Sequence, residues 1–166
     1  MAMATVTLRG NPLSTSGELP TVGAPGPTFT LVGADLSELG NETLAGRRVI
    51  LNIFPSIDTP TCATSVRVFN ERAASLDNAV VVCVSEDLPF AQTRFCGAEG
   101  IENCITASAF RSDFADAFGV RLLDGPLKGL MARAVVVLDE SGTVVHSELV
   151  PEIAQEPDYD AALGAL

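Results

Sequence analysis

Short apolar runs and helically spaced apolar positions alternate along the chain. Three runs contain almost no polar residue, which is typical of strands buried on both faces of a sheet. These runs are Val49–Phe54, Ala79–Val84 and Ala134–Leu138. Between the first two, apolar residues recur at steps of three and four, as on one face of a helix: Val66, Phe69, Ala73 and Leu76. Thr59 is suited to cap this helix, and Pro60 to be its first residue.

Weaker signals complete the predicted secondary structure. Thr5–Leu8, followed by a turn that contains Gly and Pro, predicts an N-terminal β-hairpin. The other predicted elements are a strand at Phe29–Leu31, a helix at Pro89–Phe95 closed by Gly97, a core-facing helix at Ala109–Phe118, a strand at Thr143–His146 and a last helix from a cap at Asp158 to Leu166. Strands alternating with helices predict an α/β fold, a mixed central sheet flanked by helices, in one domain over residues 1–166.

Composition narrows the classes of partner. The chain carries 21 acidic and 10 basic side chains, a formal net charge of −11. This balance argues against nucleic acid, which needs clustered Lys and Arg, and against an anionic membrane surface. Residues 1–10 do not resemble a secretory leader, and no run of 18 apolar residues is present, so a cytoplasmic protein is expected. In that compartment cysteines are held reduced, and a disulfide is transient and catalytic.

Cys62 is the strongest candidate for chemistry. The pattern places it in the first turn of a helix that follows a buried strand, at the sheet edge where α/β proteins usually bind ligands. Unpaired N–H groups and the helix dipole at that end stabilise a thiolate, which is the reactive form of cysteine. The alternative is a buried cysteine that only packs as a small apolar side chain.

The other polar and thiol groups have simpler explanations. Cys83 lies inside an apolar run and is interpreted as an inert core residue, and Cys104 as a bystander or a partner in an off-pathway disulfide. No two cysteines form a C-x-x-C pair and His146 is the only histidine, so no metal site is predicted. Arg133, among apolar neighbours, either faces an anion or extends to the surface. The acidic pairs at 86–87 and 139–140 are interpreted as solvated loops.

Three segments resemble the thiol peroxidase branch of the peroxiredoxin family. The peroxiredoxin active-site spacing P-x-x-x-T-x-x-C is formed by Pro55, Thr59 and Cys62. The segment Ser85–Cys96 has the sequence SEDLPFAQTRFC, similar to the branch signature S-x-D-L-P-F-A-x-x-[KRQ]-[FW]-C. Asp124–Leu130 precedes Arg133 much as in that branch. The resemblance extends over nearly the whole chain.

This resemblance implies a thioredoxin-like fold and a peroxidase of the atypical two-cysteine type, without metal or organic cofactor. Cys62 corresponds to the peroxidatic cysteine, which attacks a peroxide oxygen, and Cys96 to the resolving cysteine, which joins it in a disulfide within the chain. Thr59 corresponds to the residue that hydrogen-bonds thiolate and substrate. Arg133 corresponds to the arginine that supports the thiolate and the departing oxygen, and Pro55 to the proline that shields the pocket.

The resemblance also implies partners. These are hydrogen peroxide and alkyl hydroperoxides, thioredoxin or a similar dithiol as reductant, and a second copy in a homodimer, in a role of antioxidant defence. The many apolar residues of the predicted sheet suggest an apolar pocket wall, which favours organic hydroperoxides as substrates. Two other functions stay open: a general thiol–disulfide oxidoreductase, against which the missing C-x-x-C counts, and a redox sensor without turnover. Because Cys62 and Cys96 are predicted on separate helices, their disulfide is expected to need local unfolding.

Overall fold

A computed structural model describes residues 3–166; Met1 and Ala2, which the predicted domain includes, lie outside the described residues. The strands are β1 (Thr5–Leu8), β2 (Asn11–Ser14), β3 (Thr30–Gly33), β4 (Glu38–Gly40), β5 (Arg48–Ile53), β6 (Ala79–Ser85), β7 (Cys104–Ser108), β8 (Ala134–Leu138) and β9 (Val144–Leu149). The helices are α1 (Asn41–Leu44), α2 (Pro60–Ala73), α3 (Pro89–Glu99), α4 (Phe114–Ala117) and α5 (Tyr159–Gly164).

A seven-stranded mixed sheet forms the centre of the molecule, in the order β4-β3-β7-β6-β5-β8-β9. Strands β5, β6 and β7 are parallel, while β8 runs antiparallel to β5 and β3 antiparallel to β7. Strands β1 and β2 form the separate N-terminal hairpin. The predicted mixed sheet, flanking helices and hairpin are therefore confirmed. The apolar runs occupy the middle of the sheet, where both strand faces are covered.

Different elements cover the two faces of the sheet. On one face, the hairpin and α4 pack against the strands, with Phe114 and Phe118 stacked at 4.2 Å between ring centroids. On the other face, α2, α3 and α5 cover a second apolar cluster. All four cysteines belong to this second cluster or pack against it. The thiol chemistry of the chain is thus concentrated on one side of the sheet.

The helices that carry the predicted cysteine pair differ in how well the sequence locates them. Helix α2 begins as predicted, with Thr59 at the N-cap position and Pro60 in the first turn. Helix α3 continues past Gly97 to Glu99, and Gly100 ends it in the left-handed conformation, with φ of 66°. The predicted closure at Gly97 is wrong because a glycine inside a helix costs only about 1 kcal/mol and does not by itself stop it. Cys96 therefore lies within α3.

The predicted helix over Ala109–Phe118 is mostly wrong. Only Phe114–Ala117 is helical, because the Ala109 N–H donates to Ser85 O at 2.9 Å and extends the pairing of the sheet. Phe110 is 42% exposed instead of facing the core. A long-range backbone bond here outweighs the helical spacing of the three phenylalanines. The spacing predicts the packing of Phe114 and Phe118 correctly.

Several boundaries and short elements also depart from the prediction. Strand β3 lies one to two residues later than predicted, and β9 extends to Leu149. Asp158 caps the last helix as predicted, accepting from the Ala161 N–H at 3.0 Å, but this helix ends at Gly164. The elements α1, β4 and β7 were not predicted. Strand β7 has the mixed sequence CITAS, and its neighbours β6 and β3 supply its partners.

Candidate active site

The site is built where β5 passes through a short loop into α2. The backbone of Thr59 is extended, with φ of −91° and ψ of 148°, and the helix begins at the next residue. The side chain of Thr59 does not cap a backbone N–H of α2. Cys62, the third residue of the helix, is fully buried. The N–H groups and the positive end of the helix dipole near it favour an anionic sulfur.

Arg133 lies directly beside this thiol. Its Nη2 donates to Cys62 Sγ at 3.3 Å, and its Nε donates to Ile153 O at 2.8 Å. The side chain is 1% exposed, and its Nη1 has no hydrogen-bond partner within residues 3–166. The surface alternative for Arg133 is therefore wrong. Burying a guanidinium group is costly unless an anion lies beside it. The ionised form of the Cys62 thiol would supply that negative charge.

The Thr59 hydroxyl is oriented by the loop. Its Oγ1 donates to Ser56 O at 3.0 Å, and the backbone N–H of Thr59 donates to the same oxygen at 3.2 Å. The single hydroxyl proton is therefore directed into the loop. The lone pairs of Oγ1 remain available to accept a hydrogen bond.

A pocket of about 560 Å³ opens onto this region. Pro55, Thr59 and Arg133 all line it, so the structure brings these three predicted residues together. Five residues from other segments add to the apolar part of the wall: Leu8, Pro126, Leu127, Ile153 and Ala154. The pocket has room for a small substrate, and its lining is mainly apolar, with the guanidinium groups of Arg9 and Arg133 as its cationic part.

Cys96 lies apart from this pocket, on α3. Its Sγ is 4.0 Å from Thr106 Oγ1 on β7, and burial raises the pKa of its thiol. It faces the same side of the sheet as Cys62, but all four cysteines are free thiols in this structure. The structure therefore does not bring Cys62 and Cys96 together as a bonded pair.

Cys83 and Cys104 form a second thiol pair in the core. Cys83 is fully buried, as the sequence predicts. The neighbouring Cys104 thiol, together with burial, raises the pKa of Cys83 well above its usual range. Cross-strand register explains the proximity, because Val81 pairs with Cys104 and Cys83 with Thr106, so both thiols lie on one face. The sequence offers no signal for this contact, since β7 itself was not predicted.

Asp87 is the residue near the site that sequence reasoning missed. Its carboxylate accepts from Ser56 Oγ at 2.9 Å and from the Ile57 N–H at 2.7 Å. The interpretation of residues 86–87 as a solvated loop is wrong for Asp87 for this reason. Its neighbour Glu86 is half-buried, and this burial raises the pKa of its carboxyl. Two signals were available for Asp87: its position after a buried strand, and its place as the aspartate of the S-x-D-L-P-F-A signature.

No metal or membrane feature accompanies the site. Within residues 3–166, no group of three or more His, Cys, Asp or Glu side chains is arranged to hold a metal ion. Over the same residues, none of the helices has the length and apolar character needed to cross a bilayer.

Comparison with known proteins identifies the family. The Redoxin family model matches residues 21–163. A thiol peroxidase of Mycobacterium tuberculosis is 61% identical over 164 residues, covering 99% of this chain and 99% of that protein. A thiol peroxidase of Corynebacterium glutamicum is 57% identical over the same length. The crystal structure of a peroxiredoxin-like protein from Aquifex aeolicus superposes with a TM-score of 0.92 and 41% identity, covering 99% of this chain and 96% of that one.

The thioredoxin-like fold, with a buried thiol in the first turn of α2 and a buried arginine beside it, is that of a peroxiredoxin-type enzyme. The chain belongs to the Redoxin family and, within it, to the thiol peroxidases, which are enzymes of the peroxiredoxin type. The resemblance that the sequence motifs indicated is thus confirmed.

Proposed function

We propose that the protein reduces peroxides with the Cys62 thiolate as the attacking group. One observation carries this proposal: Arg133 Nη2 lies 3.3 Å from Cys62 Sγ, while the Nη1 of the same guanidinium is buried and has no partner among the described residues. One nitrogen thus supports the sulfur anion, and the other is free to donate to a substrate oxygen. A buried donor without a partner is costly unless a ligand completes it.

The chemical step follows from this arrangement. The Cys62 thiolate attacks one peroxide oxygen, the O–O bond breaks, and the sulfur becomes a sulfenic acid. The departing oxygen leaves with the bonding electrons and takes up a proton, giving water or an alcohol. Negative charge moves from sulfur to this oxygen, so fixed donors on both atoms stabilise the transition state more than the reactants. Arg133 provides such donors on one planar group.

Thr59 and Pro55 complete the pocket in this proposal. Because the Thr59 hydroxyl proton is donated to Ser56 O, its oxygen can accept the O–H of a peroxide and orient it. Pro55 has no N–H and lines the pocket wall, which keeps water from the reacting atoms. The mainly apolar wall suits an alkyl hydroperoxide as well as hydrogen peroxide, and the preference we propose is for the organic substrate.

Cys96 resolves the sulfenic acid. Its sulfur attacks the Cys62 sulfur, water leaves, and a disulfide forms within the chain. A dithiol such as thioredoxin then reduces this disulfide by exchange. The two cysteines lie on separate helices. An ion pair at 2.8 Å between Arg94 of α3 and Asp58, in the loop between β5 and α2, links the parts that must move. Opening of the loop and of the first turn of α2 is therefore part of the cycle we propose.

A homodimer and a cytoplasmic setting accompany this function. Leu88 and Phe90 are 49% and 68% exposed. Phe110 is also exposed. Its segment adjoins that of Leu88 and Phe90, because Ser108 Oγ donates to Asp87 O. Such exposed large apolar side chains suit the contact with a second copy.

The proposed cycle requires reduced cysteines at its start, and the cytoplasm maintains cysteines in that state. The role is antioxidant defence.

The deciding experiment follows the cysteines after one exposure to peroxide. Reduced protein is mixed with hydrogen peroxide or an alkyl hydroperoxide, quenched with acid, and examined by intact mass and peptide mapping. We expect the loss of two hydrogens in a monomeric, non-reduced species, with Cys62 joined to Cys96. The Cys96→Ser variant should react once at the parent rate, stop at sulfenic acid and over-oxidise with excess peroxide.

Two results would contradict the proposal at different points. A map that joins Cys62 to Cys104, or only chains to each other, would reject Cys96 as the resolving cysteine. Oxidation without repeated peroxide consumption, when thioredoxin and its reductase are supplied, would instead favour a redox sensor. The matched control is Cys83→Ala, which removes a buried thiol on the same sheet face and should leave the map unchanged.

A further inference from the structure

Both oxygens of the Asp87 carboxylate bind the active-site loop, defined here as residues 55–59. Ser56 Oγ donates to Oδ1 at 2.9 Å, and the Ile57 N–H donates to Oδ2 at 2.7 Å. We propose that Asp87 is a positioning residue that holds this loop closed and thereby sets the balance between peroxide attack and disulfide formation. This inference rests on the proposed function and concerns a residue outside the reacting groups.

The carboxylate is itself held from the sheet side. Ser85 Oγ donates to Asp87 Oδ2 at 2.6 Å, and Gln92 Nε2 donates to Ser85 Oγ at 3.1 Å and to Ala107 O at 3.0 Å. Ser108 Oγ donates to the backbone oxygen of Asp87. Ser85, Gln92 and Ser108 are at most 1% exposed. Asp87 is thus a fixed point on the ends of β6 and β7, to which the loop is attached.

The attachment reaches the catalytic groups through one residue. Ser56, held by Asp87 through its side chain, accepts with its backbone oxygen both the N–H and the hydroxyl of Thr59. Thr59 in turn provides the first helical acceptor of α2, to the Ala63 N–H at 2.9 Å. The chain of contacts from Asp87 to Ser56 to Thr59 therefore orients the pocket hydroxyl and the helix start that carries Cys62.

The two oxidation steps place opposite demands on this loop. Peroxide attack needs Thr59, Arg133 and Cys62 in their folded positions, since catalysis depends on groups held in advance. Disulfide formation needs the Cys62 sulfur to leave that position and reach Cys96. A weaker attachment at Asp87 therefore slows the first step and speeds the second. A residue that only stabilises a distant part of the fold would not produce this pair of opposite changes, because its loss does not release the loop.

The test compares Asp87→Ala with the parent in a single turnover. The rate of Cys62 oxidation is obtained by competition with a reference peroxidase, and the rate of disulfide formation by acid quench and intact mass, because the chain has no tryptophan to report by fluorescence. We expect attack to slow by about tenfold and disulfide formation to accelerate by about tenfold, each equal to about 1.4 kcal/mol. Over-oxidation by excess peroxide should fall accordingly.

Matched variants separate the loop from general stability. Asp139→Ala removes a carboxylate with similar turn contacts, to Ser141 and Thr143 in the distant β8–β9 hairpin, and should change neither rate. Asp87→Asn keeps one acceptor oxygen and should give intermediate rates. Ser56→Ala removes one contact from the loop side and should shift both rates in the same directions as Asp87→Ala. If Asp87→Ala does not fold, Ser56→Ala still tests the proposed positioning role.

The outcomes are distinct from those of the proposed function. If the parent protein shows no oxidation of Cys62 by peroxide, the proposed function fails and the variants are irrelevant. If the parent reacts but the Asp87 and Ser56 variants slow both steps together, or leave disulfide formation unchanged, the positioning role is wrong while the peroxidase remains. Equal changes in Asp139→Ala would also overturn it.

Discussion

Cys62 and Cys83 are both fully buried on the same face of the sheet, yet their neighbours differ in charge. Cys62 lies in the first turn of α2 and accepts a hydrogen bond from the Arg133 guanidinium. Cys83 lies within β6, where its neighbours are the Cys104 thiol and the Asn52 amide. Cys104 and burial raise the pKa of Cys83 and so disfavour its thiolate. Burial alone therefore predicts an inert thiol, and it is the buried cation and the helix start that single out Cys62.

Cys96 occupies an intermediate position between these two. It is half-buried beside Thr106, and desolvation raises the pKa of its thiol, so it is a poor first nucleophile. A thiol that stays protonated until an acceptor sulfur arrives is suited to the second step. In the proposed cycle, the order of reaction among the cysteines therefore follows from the charge of their surroundings and not from their distance along the chain.

The largest effect on the rate of peroxide consumption is expected from replacing the Cys62 sulfur. Cys62→Ser should reduce the rate of peroxide consumption to the uncatalysed level, because a hydroxyl does not ionise near neutral pH and is a far weaker nucleophile. Steady-state consumption of hydrogen peroxide with thioredoxin and its reductase measures this. Cys83→Ala is the matched control and should keep the parent rate. Substantial turnover by Cys62→Ser would show that another cysteine attacks peroxide.

Arg133→Met should make the surroundings of Cys62 resemble those of Cys83. The sulfur then loses the hydrogen bond from Nη2 and the leaving oxygen loses a donor, so the second-order rate with peroxide should fall by about 100-fold or more. The rate of Cys62 oxidation in a single turnover tests this. Arg133→Lys keeps a charge without the planar fork, and should lose less. An unchanged rate would leave Arg133 with a packing role.

A smaller effect concerns the segment that orients Arg133. Glu152, next to Ile153, accepts from the Ala154 and Gly10 N–H groups and from Thr7 Oγ1, and these bonds lower the pKa of its carboxyl from 4.5 to about 2. A lowered folded-state pKa stabilises the protein above the unfolded value, so this stabilisation should be lost as the pH falls from 4.5 towards 2.

Thermal unfolding across that pH range tests the role of Glu152. Glu152→Gln should unfold at a temperature a few degrees lower than the parent near pH 7, and the two should converge at low pH. The exposed Asp160→Asn, which breaks a surface ion pair with Arg72, is a control and should show a smaller difference. A constant gap between Glu152→Gln and the parent at all pH values would contradict the assignment.

The smallest effect on turnover is expected from the second thiol pair. The double variant Cys83→Ala, Cys104→Ser should turn over within about twofold of the parent, since neither thiol contacts a buried cation. Its free energy of unfolding should fall by about 1 kcal/mol because a buried side chain is shortened. Thioredoxin-coupled turnover and urea unfolding measure the two quantities. A large loss of turnover with intact stability would identify a thiol relay through the core.

Much of the fold could be predicted because its strongest elements carry local signals. The strands β5, β6 and β8 are almost purely apolar, and α2 has a Pro at its start and apolar residues at helical spacing. The elements that were missed or misplaced depend on partners far along the chain. Strand β7 exists because β6 and β3 pair with it, and the backbone bond from Ala109 to Ser85 prevents the predicted helix from starting there.

The candidate site divides in the same way. Local patterns predict that Cys62 lies in the first turn of a helix after a buried strand, and the motifs indicate Pro55, Thr59, Cys96 and Arg133 as partners. No local pattern brings the Arg133 guanidinium to the Cys62 sulfur across 71 residues of chain; that contact comes from the tertiary fold. The physical reason is that caps, turns and periodicity act between near neighbours, whereas a contact between distant segments depends on how the sheet brings its strands together.

The same reason explains Asp87. The branch signature includes Asp87, unlike the acidic residues at 139–140, but neither the signature nor the turn after β6 shows what its carboxylate contacts. The structure sets the end of β6 beside the loop after β5, because these strands are parallel neighbours with Ile53 opposite Val84. That register, which local sequence signals do not determine, places the Asp87 carboxylate within hydrogen-bonding distance of Ser56 and Ile57.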